Sequence, residues 1–159
     1  MAPDPLQFRQ AASRFLTGVT VVGSIGPDGP VAMTANSFVT VSVNPPMVLV
    51  SLMAGRTLAA IEATGRYCVN VLPAEAVQAT RHFAGKPVLG AVPVLAEDDG
   101  FAVLPEALAV FACDVVEVFS VADHRLVIGQ VRWCRQSEGV PLSFYASQFH
   151  AGAGEVIRQ

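Results

Sequence analysis

The chain has few charged residues and a large share of apolar ones. Of its 159 residues, 14% are charged and 52% are hydrophobic, and the formal net charge is −3. The Lys and Arg residues are scattered, so the basic stripe typical of a nucleic-acid-binding surface is missing. This composition argues against a disordered chain and is unusually apolar for a soluble monomer. We expect the excess to be covered in a subunit interface, that is, in a homodimer.

Long apolar runs and a cysteine framework are also missing, and we expect no secretory signal. Gly, Pro or charged residues interrupt every apolar run well before the roughly 18 residues that a membrane helix needs. The first residues, Met-Ala-Pro-Asp-Pro, lack the basic and then apolar order of a secretory signal, so we expect a cytoplasmic protein without membrane association. Cys68, Cys113 and Cys134 stand far apart without C-x-x-C spacing, which predicts reduced, buried thiols.

The familiar catalytic and nucleotide motifs do not occur. No G-x-G-x-x-G follows a predicted strand, so a dinucleotide would not be bound in the Rossmann manner. P-loop, H-E-x-x-H and G-x-S-x-G patterns are absent as well. The histidines are too dispersed for a recognisable zinc motif, so no metal is expected.

Predicted strands outnumber predicted helices. Hydrophobic spacing and cap signals predict three helices, at 6–16, 57–65 and 74–83. β-branched runs bounded by turn residues predict strands at 19–25, 31–43, 47–52, 67–72, 108–119, 125–134 and 140–146. A long loop is expected at 85–100, a corner at Pro45-Pro46 and a frayed end after 150. We therefore expect one domain, residues 1–159, built as a mainly β antiparallel barrel rather than a doubly wound sheet.

A small polar cluster, Thr34-Ala35-Asn36-Ser37, interrupts two apolar runs. Small side chains allow a ligand to approach the backbone closely. Backbone N–H and C=O groups there can pair with the pyrimidine edge of a flavin. The alternative is an ordinary exposed strand segment.

A predicted helix start follows the strand at 47–52. Ser51 precedes it, and Arg56 and Thr57 stand where the helix begins. The free N–H groups of a helix start bind phosphate, and an arginine adds a forked, charge-assisted contact. The alternative is ordinary helix entry, in which a hydroxyl caps the helix.

Two further groups are candidate ligand contacts. Phe83 and Lys86 lie where the third helix gives way to a loop, and they can cover a cofactor ring and its phosphate, although the helix dipole alone favours basic residues there. His124, beside Asp123, lies in a strand connection. Its imidazole can bond a carboxamide or phosphate oxygen of a second ligand, with Tyr145 as an aromatic neighbour. A solvated turn histidine and a core tyrosine are the alternatives.

Taken together, these fragments resemble the flavin reductase domain family with the FMN-binding split-barrel fold. Members of that family are the small reductase components of two-component flavin monooxygenases. The resemblance runs from about Phe8 to His150. It is carried by Phe15-x-Thr17-Gly18-Val19-Thr20-Val21-Val22, Thr34-Ala35-Asn36-Ser37-Phe38, Asn44-Pro45-Pro46, Thr57-x-x-x-Ile61, Tyr67-x-Val69-Asn70-Val71-Leu72, Phe83-Ala84 and Asp123-His124-x-x-x-x-Gly129-x-Val131.

The resemblance implies a homodimeric, six-stranded antiparallel Greek-key barrel with a few short flanking helices. It also implies an NAD(P)H:flavin oxidoreductase that reduces FMN or FAD with NADH or NADPH and supplies a separate monooxygenase. His124 would be the catalytic residue and would contact the nicotinamide together with Tyr145. The flavin would be held by Thr34, Ala35, Asn36, Ser37, Ser51, Leu52, Arg56, Thr57, Phe83 and Lys86.

One segment departs from the family pattern. After Phe83-Ala84 many relatives carry a longer, Lys-rich aromatic stretch, whereas this chain has Gly85-Lys86-Pro87-Val88-Leu89-Gly90. Two other functions stay open at this point. One is an enzyme of the same architecture that retains its flavin and reduces ferric iron, cobalamin or an aromatic acceptor. The other is a non-catalytic module that binds flavin or haem.

Overall fold

Strands account for about half of the chain and outnumber helices, as predicted. The computed structural model describes residues 1–157. Its helices are α1 (Pro5–Ala12), α2 (Arg56–Thr64) and α3 (Val77–Phe83), with a 3-10 turn at Ala74–Ala76 before α3. Its strands are β1 (Thr17–Gly18), β2 (Thr20–Gly26), β3 (Gly29–Ala35), β4 (Val39–Val43), β5 (Pro46–Met53), β6 (Arg66–Val71), β7 (Ala96–Asp98), β8 (Phe101–Val103), β9 (Ala109–Val121), β10 (His124–Gln136), β11 (Leu142–Tyr145) and β12 (Gln148–Ala151).

The strands form one large sheet and two small ones. The large sheet has seven strands in the order β3-β2-β6-β9-β10-β5-β4, and its neighbours are antiparallel. A small sheet, β1-β11-β12, and the hairpin β7-β8 complete the set. The two edge strands follow each other in sequence, and β3 also lies against β5, so the sheet curls towards closure. The mainly β barrel class is confirmed, with seven strands in the main sheet where six were expected.

Two buried clusters fill the space on the two sides of the central strands. One cluster contains Tyr67, Val50, Val127 and Cys113 and packs α2 against the inside of the curled sheet. The other contains Cys68 together with residues of α3, β8 and β11. Burial raises the pKa of the Cys68 and Cys113 thiols to about 12, so both are protonated at neutral pH.

Several predicted boundaries differ from the structure for local reasons. The first helix ends at Ala12 rather than 16; the Asp4 carboxylate caps its start, and none of its residues is buried. The predicted strand 31–43 is two strands, because residues 36–38 leave β3 and cross to the opposite edge of the sheet. The 85–100 segment contains β7, and the end after residue 147 contains β12.

The prediction that all three cysteines are buried is wrong for Cys134. Cys68 and Cys113 are buried, whereas Cys134 is exposed. Its neighbour Trp133 packs edge-on against Phe101, with ring centroids 5.9 Å apart. Because side chains alternate along a strand, Cys134 points to the opposite face of β10. Within residues 1–157, no helix combines the length and the apolar character needed to cross a membrane.

Candidate functional site

The crossing segment, residues 36–38, joins opposite edges of the main sheet and is held at its start by two threonine hydroxyls. Thr20 Oγ1 donates to the Ala35 carbonyl oxygen at 2.6 Å, and Thr34 Oγ1 donates to the Thr80 carbonyl oxygen at 2.7 Å. Thr20 lies opposite Ala35 in the β2–β3 register and is buried. These bonds fix the end of β3, where the chain leaves the sheet.

Ser37 holds the middle of the crossing segment against β5. Its Oγ donates to the Ser51 carbonyl oxygen at 2.8 Å and accepts from the Ser51 backbone N–H at 3.0 Å. Phe38 then packs against Phe111, with ring centroids 5.1 Å apart. The segment is therefore anchored at both ends and in the middle.

The backbone of Asn36 and Ser37 is the part of this segment open to a ligand. Among the described residues, no backbone hydrogen bond to another backbone group involves Asn36 or Ser37 outside the strands. The Thr34 and Ser37 hydroxyl protons, by contrast, are donated to protein carbonyl groups. This arrangement agrees with the predicted pairing of backbone groups with a flavin edge, and it leaves these hydroxyl protons no part in that pairing.

The start of α2 provides free N–H groups and a positive charge. Gly55 occupies the N-cap without a side-chain cap, and the first turn holds no acidic residue. The helical bonds begin with the Ala59 N–H donating to the Gly55 carbonyl oxygen at 3.0 Å, so the N–H groups of the first turn have no helical acceptor. Arg56 is exposed at the first helical position and Thr57 is buried at the second. An anion fits this end of the helix on both dipole and charge grounds.

His124 begins β10 directly after a two-residue hairpin. Asp123 Oδ1 lies 2.8 Å from His124 Nδ1, and this hydrogen bond lowers the pKa of the Asp123 carboxyl. An ionised carboxylate accepts from Nδ1–H, so in the neutral imidazole Nε2 is an acceptor. Ala122, in the hairpin turn, adopts a φ of 50°, which is uncommon for a residue other than glycine.

Register places His124 on an apolar outer face of the sheet. Directly paired residues of β5, β10 and β9 form three rows on one face: Met53–His124–Val121, Ser51–Leu126–Phe119 and Leu49–Ile128–Glu117. The alternating residues Leu52 and Val127 point to the buried side. We call these three rows the outer face. Met53, Phe119 and Val121 remain 51%, 43% and 50% exposed on it.

The remaining predicted residues lie on other elements. Phe83, at the end of α3, packs partly against the buried core and edge-on to His82, with ring centroids 4.8 Å apart. Lys86 is exposed at the start of the following loop. Tyr145 ends β11 in the three-stranded sheet, beside His150 and not beside His124. The structure thus brings Ser37 to Ser51 and places His124 in the next row, whereas Tyr145 belongs to a separate sheet.

A cavity of about 830 Å³ opens beside the crossing segment, and no sequence pattern predicted it. Asn36, Ser37 and Phe38 form part of its wall, opposite residues of α1 and β1. Thr17 Oγ1 in this wall is buried and makes no hydrogen bond within the described residues. The cavity does not include Arg56, Thr57 or His124. Thr20 was also missed as an anchor, although the fragment Thr17-Gly18-Val19-Thr20 marks its position.

The start of α2 and the crossing segment together fit a flat ligand that carries a phosphate. The uncapped start of α2 with Arg56 suits the phosphate, and the open backbone of residues 36–37 suits a heterocycle edge. Between them, Ser51 offers a hydroxyl that makes no hydrogen bond among the described residues. In the same part of the chain, no three His, Cys, Asp or Glu side chains are grouped so as to hold a metal ion.

Comparison with known proteins agrees with this geometry. The model of the "Flavin reductase like domain" family matches residues 12–153. The NADH-dependent flavin reductase StyB of Pseudomonas fluorescens is 36% identical over 153 residues, covering 92% of this chain and 89% of StyB. The styrene monooxygenase flavin reductase SMOB of Pseudomonas putida S12 superposes with a TM-score of 0.86 at 33% identity, covering 94% of this chain and 99% of SMOB.

A second solved structure is similar over a comparable length. The flavin reductase PheA2 in its native state gives a TM-score of 0.89 at 35% identity, covering 96% of this chain and 100% of PheA2. The family model spans every strand of the main sheet, the crossing segment and His124. The chain therefore belongs to the flavin reductase-like domain family.

Proposed function

We propose that this chain is an NAD(P)H:flavin oxidoreductase that reduces FMN or FAD and supplies the reduced flavin to a separate flavin-dependent monooxygenase. The observation that carries the proposal is the position of α2 relative to His124. The uncapped start of α2, with Arg56, follows shortly after β5, and Met53, the last residue of β5, is paired with His124. A phosphate site and a polar group for a second ligand thus lie on adjoining elements. The flavin and the nicotinamide supply the hydride chemistry themselves when both are bound.

Binding and orientation are the tasks of the protein. The first-turn N–H groups of α2 and the Arg56 guanidinium hold the phosphate of the flavin nucleotide. Thr57 lies at the same helix start, and Leu52 and Ser51 form the strand beneath the ligand. The backbone of Ala35, Asn36 and Ser37 faces the pyrimidine edge. Phe83 and Lys86 close the site from α3 and the loop that follows.

His124 orients the nicotinamide. Its Nδ1–H is held by Asp123 at 2.8 Å, which leaves Nε2 to accept from the carboxamide NH2 of the nicotinamide. A fixed acceptor sets which edge of the pyridine ring faces the flavin, and orientation of this kind accounts for much of the rate of a bimolecular step. The name of the relative StyB specifies NADH, and the assay of this chain compares NADH with NADPH.

We also propose that the working unit is a homodimer in which the partner covers the outer face. His124 stands among apolar, half-exposed neighbours in its own row, Met53 and Val121. The edge strand β4 adds Val39, Val41 and Val43, all more than half exposed. An apolar surface of this extent is typical of an obligate interface. Tyr145 lies in a separate sheet from His124, so we place it beside the nicotinamide through the partner copy.

We also propose that the chain forms one domain and that it is cytoplasmic. The family model covers residues 12–153, which supports one domain over 1–159. The three cysteines are free, and two of them are buried, which is typical of the reducing cytoplasm.

Anaerobic stopped-flow mixing tests the proposal. The protein is combined with NADH or NADPH and with FMN or FAD in all four pairings, and the visible absorbance of the flavin is followed. We expect multiple turnovers of free flavin with at least one pairing. Flavin binding without oxidation of either nicotinamide would instead establish a non-catalytic binding module. Flavin that stays bound through gel filtration, with fast reduction of ferric iron or cobalamin, would establish an enzyme that retains its flavin.

A further inference from the structure

Ser37 lies opposite Ser51 of β5, at the position where a residue of β4 would pair if that strand were longer. In the β4–β5 ladder Val39 is paired with Leu49, and β4 begins there. Ser51, two residues farther along β5, therefore extends past the end of β4, and its N–H and C=O on that side have no strand partner. The Ser37 hydroxyl takes both, donating to the carbonyl oxygen at 2.8 Å and accepting from the N–H at 3.0 Å. One side chain thus continues the ladder by one further pair.

We propose that Ser37 is a positioning residue for flavin binding and that its hydroxyl does not itself contact the flavin. This inference rests on the proposed function, because the segment it positions is the one assigned to the flavin. The hydroxyl has one proton, and that proton is donated to Ser51. It can accept at most one bond beyond the one from the Ser51 N–H. Its effect on the flavin is therefore transmitted through the backbone of residues 36–37.

We call the two hydrogen bonds between the Ser37 hydroxyl and the Ser51 backbone the Ser37–Ser51 clip. The path of the crossing segment explains why such a clip is needed. Residues 36–38 span from one edge of the main sheet to the other, and they lie outside both strands. The backbone N–H and C=O groups of Asn36 and Ser37 have no backbone partners outside the strands in the described part of the chain. Without a tether, a segment with so few bonds would sample many conformations, and a ligand would have to order it on binding. The Ser37–Ser51 clip removes much of that cost beforehand.

Because the clip engages the Ser51 backbone, only the Ser51 side-chain hydroxyl is available to a ligand. The Ser51 backbone is engaged by Ser37 on one side, while its side chain lies on the outer face in the row with Leu126. We therefore assign the two serines different roles: Ser37 positions the backbone, and Ser51 presents a hydroxyl to the ligand.

The test compares Ser37→Ala with Ser37→Thr and with Ser24→Ala. Ser24 is a matched control, because its buried hydroxyl donates to the Arg66 carbonyl oxygen at 2.8 Å within the same barrel but outside the candidate site. Amide hydrogen exchange is measured at Ser51 in the ligand-free protein. Flavin affinity is measured by fluorescence titration, and KM for flavin and kcat by steady-state turnover.

We expect Ser37→Ala to speed exchange of the Ser51 amide at least about tenfold and to weaken flavin binding about tenfold, because a backbone pair loses its only partner on that side. KM for flavin should rise more than kcat falls. Ser37→Thr keeps the hydroxyl and should restore both readouts, while Ser24→Ala should leave flavin affinity within about twofold.

Two results would overturn the positioning role. One is unchanged Ser51 exchange in Ser37→Ala. The other is equal loss of flavin affinity in Ser37→Ala and Ser24→Ala. Exchange is read without ligand, so it reports on the clip even in a protein that reduces no flavin. If Ser37→Ala speeds Ser51 exchange but the unmodified protein binds no flavin, the proposed function is refuted, and the positioning role with it. The hydrogen bonds between Ser37 and Ser51 would still be confirmed in that case.

Discussion

Gly129 is predicted to tolerate no side chain, because Tyr67 fills the space in front of it. A Cβ built at Gly129 would lie 2.5 Å from Tyr67 Oη, 2.6 Å from Cε1 and 2.7 Å from Cζ. Tyr67 is fully buried, and its ring sits among Val50, Val127 and other members of the inner core. The ring cannot swing away into solvent, so Gly129→Ala must displace either the ring or strand β10.

The expected loss of stability follows from two opposing effects. Overpacking a buried site costs about 1–3 kcal/mol, and the Tyr67 hydroxyl oxygen and two ring carbons inside 3.0 Å place this site near the upper end. Gly129 has no positive φ, so alanine also restricts the unfolded chain and returns about 0.4–1 kcal/mol. The net change in the free energy of unfolding is then about 2 kcal/mol, which lowers Tm by about 4–8 °C for a domain of this size.

Urea and thermal unfolding at one fixed protein concentration measure this loss, with Gly18→Ala as the matched control. A Cβ at Gly18 meets nothing within 4 Å, and its φ is also not positive, so its variant should change stability by less than about 0.5 kcal/mol. In the background of Tyr67→Leu, the cost of Gly129→Ala should fall by about 1 kcal/mol or more, since the ring is gone. Equal stability of the two glycine variants, or no coupling to Tyr67, would refute this account of Gly129.

The site and interface proposals give three further predictions. His124→Ala should raise KM for the nicotinamide, or slow hydride transfer, more than it weakens flavin binding in titrations; equal losses in both would argue against the assigned role. Arg56→Ala should weaken FMN about tenfold and riboflavin less than about threefold, because only FMN carries the phosphate, and identical effects would remove Arg56 from the phosphate site. Phe119→Asp should shift the dimer to monomer in light scattering while Leu89→Asp, on an exposed loop, should not; a dimeric Phe119→Asp protein would contradict the outer-face interface.

The sequence predicted the fold class and most strand positions because their signals are local. β-branched runs bounded by Gly and Pro mark β2, β5, β6, β9 and β10 within a few residues of their observed ends. The split of the 31–43 segment into β3 and β4 escaped prediction, since both halves have the same strand-like composition. Only the register of distant strands shows that the chain leaves one edge of the sheet and joins the other.

The sequence suggested candidate site residues but not the hydrogen-bond partners of their hydroxyl groups. Small polar residues at 34–37 indicated a ligand segment, but composition does not say which hydroxyls are used within the protein. The donation from Thr34 to Thr80 and the bonds between Ser37 and Ser51 join residues far apart in sequence. The same limit applies to Thr20, whose bond to the Ala35 carbonyl depends on strand pairing. Cys134 was misplaced because burial at the end of a long strand depends on which face meets the core.

The apolar composition and the position of His124 have one common explanation. In the region of β5, β10 and β9, the sheet has apolar residues on both faces: Leu52 and Val127 on the buried side, Met53 and Phe119 on the outer face. A barrel needs only its inner face to be apolar, so the second face predicts a second covering layer. His124 lies in the end row of that second face, between Met53 and Val121. If a partner subunit supplies the layer and His124 contacts the nicotinamide as proposed, the surface that excludes water from the interface also excludes it from the nicotinamide, where hydride transfer benefits from a dry environment. Association and catalysis would then depend on the same outer-face residues, so substitutions there that weaken the dimer should also lower turnover.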